Sequence, residues 1–273
     1  MTVFENLEYL AKRVRNGSFV AIAPDYSWVP MALIRELIKR KASGLSLLTV
    51  PISGMAADIL IGAGAVIRIE TAAVTLGEIG LAPRFTEAVE SGYLSVLDST
   101  CPAIHTALQA SEKGVPFMPL GGLIGSDLLQ NRDDWRVIDD PLGKDGSPVV
   151  LLPAIKPDIA LFHSPKADKN GNVWIGRRRE LVTMAHASKE AIVTVEEIQD
   201  INFLEDEALA AGTLPAMYVS SIAISKDGAW PLALTGCYEM DIDHIRTYAK
   251  NSKTMEGFQE YLTDYVHGIC SDD

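Results

Sequence analysis

Cys101 stands in the stretch VLDSTCPAIHTALQ (96–109), between Ser99-Thr100 and Pro102, where an apolar run gives way to one with helical spacing. A thiol at a helix N-terminus is placed for nucleophilic chemistry, because the positive end of the helix favours its thiolate. The same pattern also makes a plain helix entry, since the missing N–H and fixed φ of Pro102 suit the first helical position. No histidine or basic residue adjoins Cys101 in sequence to activate it. Glu196-Glu197 closes a strand-like run and carries carboxylates suited to acid/base work, although the expected role is a solvated strand end. Arg177-Arg178-Arg179 is suited to a phosphate; the expectation for such a run is again a solvated face. His105, His163, His186, His244 and His267 are scattered, and none pairs with a cysteine at metal-ligand spacing, so each reads as structural or surface. The glycines of GAGAVI (62–67) leave a helix and open a strand, the reverse of a dinucleotide fingerprint, and read as a helix end and turn. No Walker motif, His-Glu-x-x-His or Gly-x-Ser-x-Gly is present. The residues offer no complete catalytic set and no metal site.

The elements that must position these groups follow from periodicity. Phe4, Leu7, Leu10, Ala11 and Val14 recur at helical spacing before Asn16-Gly17, a turn despite its match to a glycosylation sequon with Ser18. SFVAIA, LSLLTV, AVIRIE and YLSVLD read as strands; PMALIRELIKRKASG, AADILIGAG, RFTEAVESG and PAIHTALQASEKG read as helices. That alternation implies βαβ units and an open, mainly parallel α/β sheet flanked by helices. After residue 115 the pattern changes: WRVIDDPLGKDGSPVVLLPAI and DIALFHSPKADKNGNVWIG read as strand pairs joined by Asp/Gly/Asn turns. KEAIVTVEEI is a further strand and TMEGFQEYLTDYVHG an amphipathic helix. No repeat or linker divides residues 1–273, so one domain is expected.

Composition narrows the function classes. Of 273 residues, 48% are apolar and 22% charged, and the net charge of -12 disfavours nucleic acid as a partner. Small anions remain compatible with it. The first 17 residues contain acidic side chains and no apolar core, unlike a signal peptide, and the most apolar stretch is interrupted by Asp58 and Arg68. Three cysteines suggest no disulfide framework. The expectation is a cytoplasmic protein with no membrane segment.

Several segments together resemble the α subunit of family I coenzyme A transferases, of the glutaconate CoA-transferase type: PMALIRELIKR (30–40), ADILIGAGAVIRIE (57–70), GLAPRFTEAVESG (80–92) and GVPFMPLGGLIGSDLL (114–129). VIDDP (137–141), KPDIALFHSPKADKNGNVWIG (156–176), AIVTVEEI (191–198) and EGFQEYLTDYVHG (256–268) continue it. The resemblance implies the CoA-transferase (NagB/RpiA-like) fold, coenzyme A as a substrate rather than a resident cofactor, and a hetero-oligomer with a β subunit. The nucleophilic glutamate would belong to that β subunit, forming an acyl-glutamyl anhydride and then a glutamyl-CoA thioester. No catalytic residue is then expected in this chain, and no second βαβ half follows to supply one.

The same resemblance points to three loops at strand ends. APDYSWVP (23–30) matches a loop that is Gly-Gly-Phe-Gly-like in many relatives; here Asp25, Tyr26 and Ser27 are substrate-binding candidates, or Ser27 caps a packed turn. In PISGMAAD (51–58), Ser53 and Gly54 are candidates for a substrate carboxylate or carbonyl, with Ser53 also a helix cap. Thr100 and Cys101 are oxyanion or acyl-site candidates, and the backbone N–H of Cys101 is favoured over its sulfur. Position 101 is a glutamine in succinyl-CoA:3-oxoacid transferases and lies where ring-opening CoA-thioester hydrolases have a glutamate. The alternatives to transfer are therefore a hydrolase subunit of that kind and a non-catalytic protein on the same fold.

Overall fold

The computed structural model describes residues 2–143 and 146–268. In chain order the first half contains β1 (Val3–Phe4), α1 (Leu7–Arg13), β2 (Phe19–Ile22), α2 (Met31–Lys39), β3 (Leu45–Thr49), β4 (Ile52–Ser53), α3 (Met55–Gly62), β5 (Val66–Thr71), β6 (Ala73–Val74), α4 (Pro83–Glu90) and β7 (Ser95–Asp98). Next come α5 (Cys101–Glu112) and the antiparallel ribbon of β8 (Phe117–Leu120), β9 (Arg136–Asp139) and β10 (Pro148–Pro153). The second half contains β11 (Ile159–Asp168), β12 (Val173–Trp174), α6 (Arg179–Ala187), β13 (Glu190–Gln199), α7 (Glu207–Ala210), β14 (Thr213–Leu214), β15 (Ser221–Ile224), α8 (Ile242–Asn251) and α9 (Met255–Leu262).

The main sheet runs β1-β15-β13-β11-β2-β3-β5-β7 with every neighbouring pair parallel; β12 lies antiparallel to β11 and β14. Its central runs are mainly apolar, as expected for strands covered on both faces: Val20, Ile22, Leu47, Leu48, Leu161, Phe162, Ile192 and Val193 are all buried. From β2 the chain winds outward through β3 and β5 to β7. From β11 it winds the opposite way through β13 to β15. Right-handed crossovers then place α2, α3 and α4 on one face and α6 on the other. Packing agrees: α2 lies on α3 and α3 on α4, whereas α6 packs against α5. The two windings meet where Val20 and Ile22 of β2 face Ile159 and Leu161 of β11. A crevice outside the carboxyl ends of the strands at such a reversal is where open α/β sheets take ligands.

Three local expectations change. Phe4 belongs to β1 rather than to the first helix, because its backbone pairs with Ile222 of β15. The helix beginning near Pro30 stops at Lys39, short of Gly44, because Lys41 turns left-handed at φ 57°. Pro102 is the second residue of α5, after Cys101. Three helices, α6, α7 and α8, carried no reading from periodicity: α6 has no side-chain cap, α7 is only four residues long, and α8 buries only His244, Ile245 and Tyr248.

Candidate functional site

The loop leaving β2 at the winding reversal is pinned along its length. Asp25 reaches across to the end of β4 and the start of α3, where Oδ1 accepts from Gly54 N–H at 2.9 Å and from the Ser53 hydroxyl at 3.3 Å, and Oδ2 accepts from Met55 N–H at 3.0 Å. These amides open α3, whose own N-cap residue is glycine, so a carboxylate from a distant loop does the capping. Ser53 contributes less, accepting from Ala57 N–H at 3.3 Å. Desolvation pushes the Asp25 carboxyl above its ordinary value, against the pull of the Gly54, Met55 and Ser53 bonds. Gly54 is needed for this approach: a Cβ there would lie 2.5 Å from the Thr75 carbonyl oxygen and 2.6 Å from Asp25 Oδ2. Gly54→Ala is expected to cost about 1–3 kcal/mol, read as a lower urea midpoint, because a backbone atom and the capping carboxylate must both move.

Ser27 does not cap α2. Its buried hydroxyl donates to the Glu180 carboxylate in the first turn of α6, and the N-cap position of α2 is Pro30, without a side-chain bond. Trp28 is fully packed at φ 64°, a conformation unfavourable for a bulky side chain and held here from several sides. Its carbonyl accepts from His163 N–H at 2.7 Å; its ring lies 5.7 Å from that of Trp174 and 3.6 Å under the Arg178 guanidinium. Arg178 is therefore no part of a solvated face: it stacks on Trp28 and donates to the Thr235 hydroxyl at 2.7 Å. Burial lowers its pKa, with Glu180 opposing.

At the end of β7 the Thr100 side chain caps α5, accepting from Ala103 N–H at 3.2 Å, while its carbonyl accepts from Ile104 N–H at 3.0 Å. Pro102 has no N–H. The first turn of α5 thus presents the Cys101 amide as its remaining donor, and that amide meets no protein acceptor among the described residues. The Cys101 side chain is exposed. Tyr26, 61% exposed, joins the two sides: burial, then the Glu180 carboxylate and Cys101, raises its phenol. One turn beyond Cys101, burial lowers His105 while Glu180 opposes. Asp25, Ser53 and Gly54 are thus bonded to one another beside Tyr26, and Ser27 turns to Glu180. Thr100 and Cys101 stand at the start of α5, linked to the loop only through the electrostatic influence of Cys101 on Tyr26.

Sequence reasoning missed the role of Glu196. It is no solvated strand end: Oε1 meets His163 Nε2 at 2.8 Å and accepts from Tyr238 OH at 2.8 Å and Gly228 N–H at 3.1 Å, and Oε2 accepts from Asp227 N–H at 2.8 Å. His163 Nδ1 faces Thr194 Oγ1 at 2.7 Å. Glu197, next along the strand, points away and is exposed. Among the described residues no group of three or more His, Cys, Asp or Glu could hold a metal, and no helix is long and apolar enough to cross a membrane.

Residues 4–225 match the coenzyme A transferase family. Over 96% of its length the chain is 31% identical to an uncharacterized protein of Archaeoglobus fulgidus, of which it spans 58%, little more than half. It is 28% identical, over 97% of its length and 87% of the relative's, to the A-subunit of glutaconate CoA-transferase from Acidaminococcus fermentans. The crystal structure of glutaconate coenzyme A-transferase from that organism superposes with a TM-score of 0.90 and 26% identity, covering 98% of this chain and 90% of that one. By its sequence over residues 4–225 and its overall fold, this chain belongs to the coenzyme A transferase family.

Proposed function

We propose that this chain is the α subunit of a heteromeric CoA-transferase, a single cytoplasmic domain that forms one wall of an active site completed by a β subunit. One observation carries the reading: the side chains gathered at the crevice are engaged in holding it together. Asp25 caps α3, Ser27 and Glu180 bind each other, Thr100 caps α5, and Glu196 accepts four hydrogen bonds. What this leaves for a ligand is a backbone donor at Cys101, at the start of α5, and the exposed phenol of Tyr26.

In the proposed reaction a β-subunit glutamate attacks the thioester carbonyl, and the Cys101 N–H faces the oxyanion that forms. Expulsion of CoA thiolate leaves an acyl-glutamyl anhydride. The thiolate then attacks the glutamyl carbonyl, releasing the first carboxylic acid as its carboxylate and leaving glutamyl-CoA. An acceptor carboxylate repeats these steps in reverse and departs as the new thioester. Asp25 and Thr100 act here as positioning residues for two helix ends, with Ser53 and Gly54 shaping the acyl side. Coenzyme A enters as substrate only.

The test is the complex this chain forms with its co-purified partner. Transfer is expected from the complex and not from the chain alone, with borohydride sensitivity, after acyl-CoA addition, on a glutamate of the partner. Cys101→Ser keeps the backbone donor and should retain kcat within about threefold, because only the amide is used. Transfer by the isolated chain would overturn the proposal. Turnover without an acceptor, abolished in Cys101→Ser, would point to the hydrolase reading instead.

A further inference from the structure

Behind Tyr26, the loop after β2, β4 and the turn that follows it, the loop after β6 and the segment leading into α8 line a cavity of about 210 Å³. Its apolar wall is Ile52, Met55, Leu76, Leu232, Met240 and Ile245. Apart from the phenol of Tyr26, the polar side chains that reach it are already engaged. Asp25 is bonded to Gly54, Met55 and Ser53, and Ser53 also accepts from Ala57 N–H. The Thr75 hydroxyl donates to the Gly80 carbonyl at 3.2 Å and accepts from Gly77 N–H at 3.2 Å. No lysine, arginine or histidine is among the lining residues. Tyr26, 61% exposed, stands at the lip of the cavity.

We infer that this cavity receives an uncharged apolar acyl group, a straight or branched monocarboxylic chain, and that the protein discriminates against dicarboxylic acyl groups. The inference rests on the reading of the chain as one that works on CoA thioesters, and it adds the class of acyl group. A thioester carbonyl held at the Cys101 amide would direct its chain past Tyr26 into the cavity. At roughly 30 Å³ for a group the size of a water molecule, the space suits about seven heavy atoms. A terminal carboxylate in the same place would lose its hydration, find no cation, and face the oxygens of Asp25. Glutaconate, the substrate in the name of one relative, carries such a second carboxylate, so the two sites should differ in preference.

Two measurements test this independently of each other. In the complex with the partner chain, kcat/KM for isovaleryl-CoA should exceed that for glutaryl-CoA by about a hundredfold or more, the scale on which an unmatched polar group is rejected. Met240→Lys, at a rim position 39% exposed, should lower that ratio at least about tenfold by supplying a cation. Equal use of the two thioesters would overturn the inference. Separately, the isolated chain labelled with ¹³C-methyl methionine is titrated with S-isovaleryl- and S-glutaryl-pantetheine. The Met55 and Met240 methyl signals should move with the first and not the second. Movement with both, or with neither, would overturn the inference. Selective movement without transfer in the complex would uphold the cavity's preference and count against the transferase reading alone.

Discussion

Glu196→Ala is expected to destabilise the protein by about 3 kcal/mol, the low end of the cost of breaking a buried ion pair, because His163 is fully buried and Glu196 partly exposed. The carboxylate ties together two strands and a turn: His163 comes from β11, Glu196 from β13, and the Asp227 and Gly228 amides and the Tyr238 hydroxyl from the segment after β15. Alanine leaves two side-chain groups and two amides without an acceptor. Gly228 packs so closely on His163 that a Cβ would collide with the ring at Cε1, so the turn has little room to rearrange. Glu196→Gln should recover only part of the loss, because its amide nitrogen turns one acceptor into a donor facing other donors. Burial works to raise the Glu196 pKa, but the His163 and Tyr238 bonds and the His163 charge hold it below its ordinary value. The folded pKa is depressed, so this contribution is present above the ordinary glutamate pKa and is lost as pH falls through the lower folded value. Urea unfolding at neutral pH checks the magnitude. A loss under about 1 kcal/mol, the range of an exposed pair, would refute the network's role. Because the same segment supplies Leu232 and Met240, the alanine variant should also blunt selectivity between acyl groups.

The second large effect is a pH dependence at Asp58. This residue is buried in α3; Oδ1 accepts from Phe85 N–H at 2.7 Å in α4, and Oδ2 from Tyr248 OH at 2.6 Å in α8. Burial raises its carboxyl from 3.8 to about 6, with the Tyr248 and Phe85 bonds and the Arg84 charge pulling the other way. A folded pKa above the unfolded one means stability that is fully present below about pH 3.8 and is lost as pH rises through about 6. At 1.36 kcal/mol per pKa unit, the loss approaches about 3 kcal/mol by neutral pH. Asp58→Asn cannot ionise. The stability of the wild-type protein minus that of the variant should therefore fall by roughly 2–2.5 kcal/mol between pH 4 and pH 7.5, the rest of the loss lying below pH 4. Parallel stability curves for the two proteins would show that Asp58 does not titrate in this window.

What was legible in the sequence lies on the scale of single elements. SFVAIA and LSLLTV announce covered parallel strands, and Gly64 and Gly114 end their helices in left-handed turns, at φ 72° and 69°. The strand pairs β9–β10 and β11–β12 follow their Asp, Gly and Asn turns. The strand-end loops carrying Asp25, Ser53 and Cys101 were marked by their resemblance to coenzyme A transferases. Their internal bonding was not. Ser27 and Glu180 are 153 residues apart, and Glu196 collects its partners from 31 to 42 residues away. Such pairings depend on the register of strands that are not neighbours in sequence, which local patterns do not encode. Arg178 shows the same limit, because a basic run predicts solvation until a buried indole is placed beneath it.

The rigid setting of Trp28 bears on how this site gains and changes ligands. A glycine-rich loop must give up chain freedom when it closes on a molecule. Here the loop between β2 and α2 is clamped beforehand by Arg178, by Glu180 through Ser27, and by the His163 amide. A thioester reaching the crevice would then order little of this loop, and most of its contact energy would remain as affinity. The same rigidity narrows the routes to a new substrate range. Changes in this chain would have to come from side chains on the cavity wall, such as Met240, because the loop has little slack to reshape around a different acyl group.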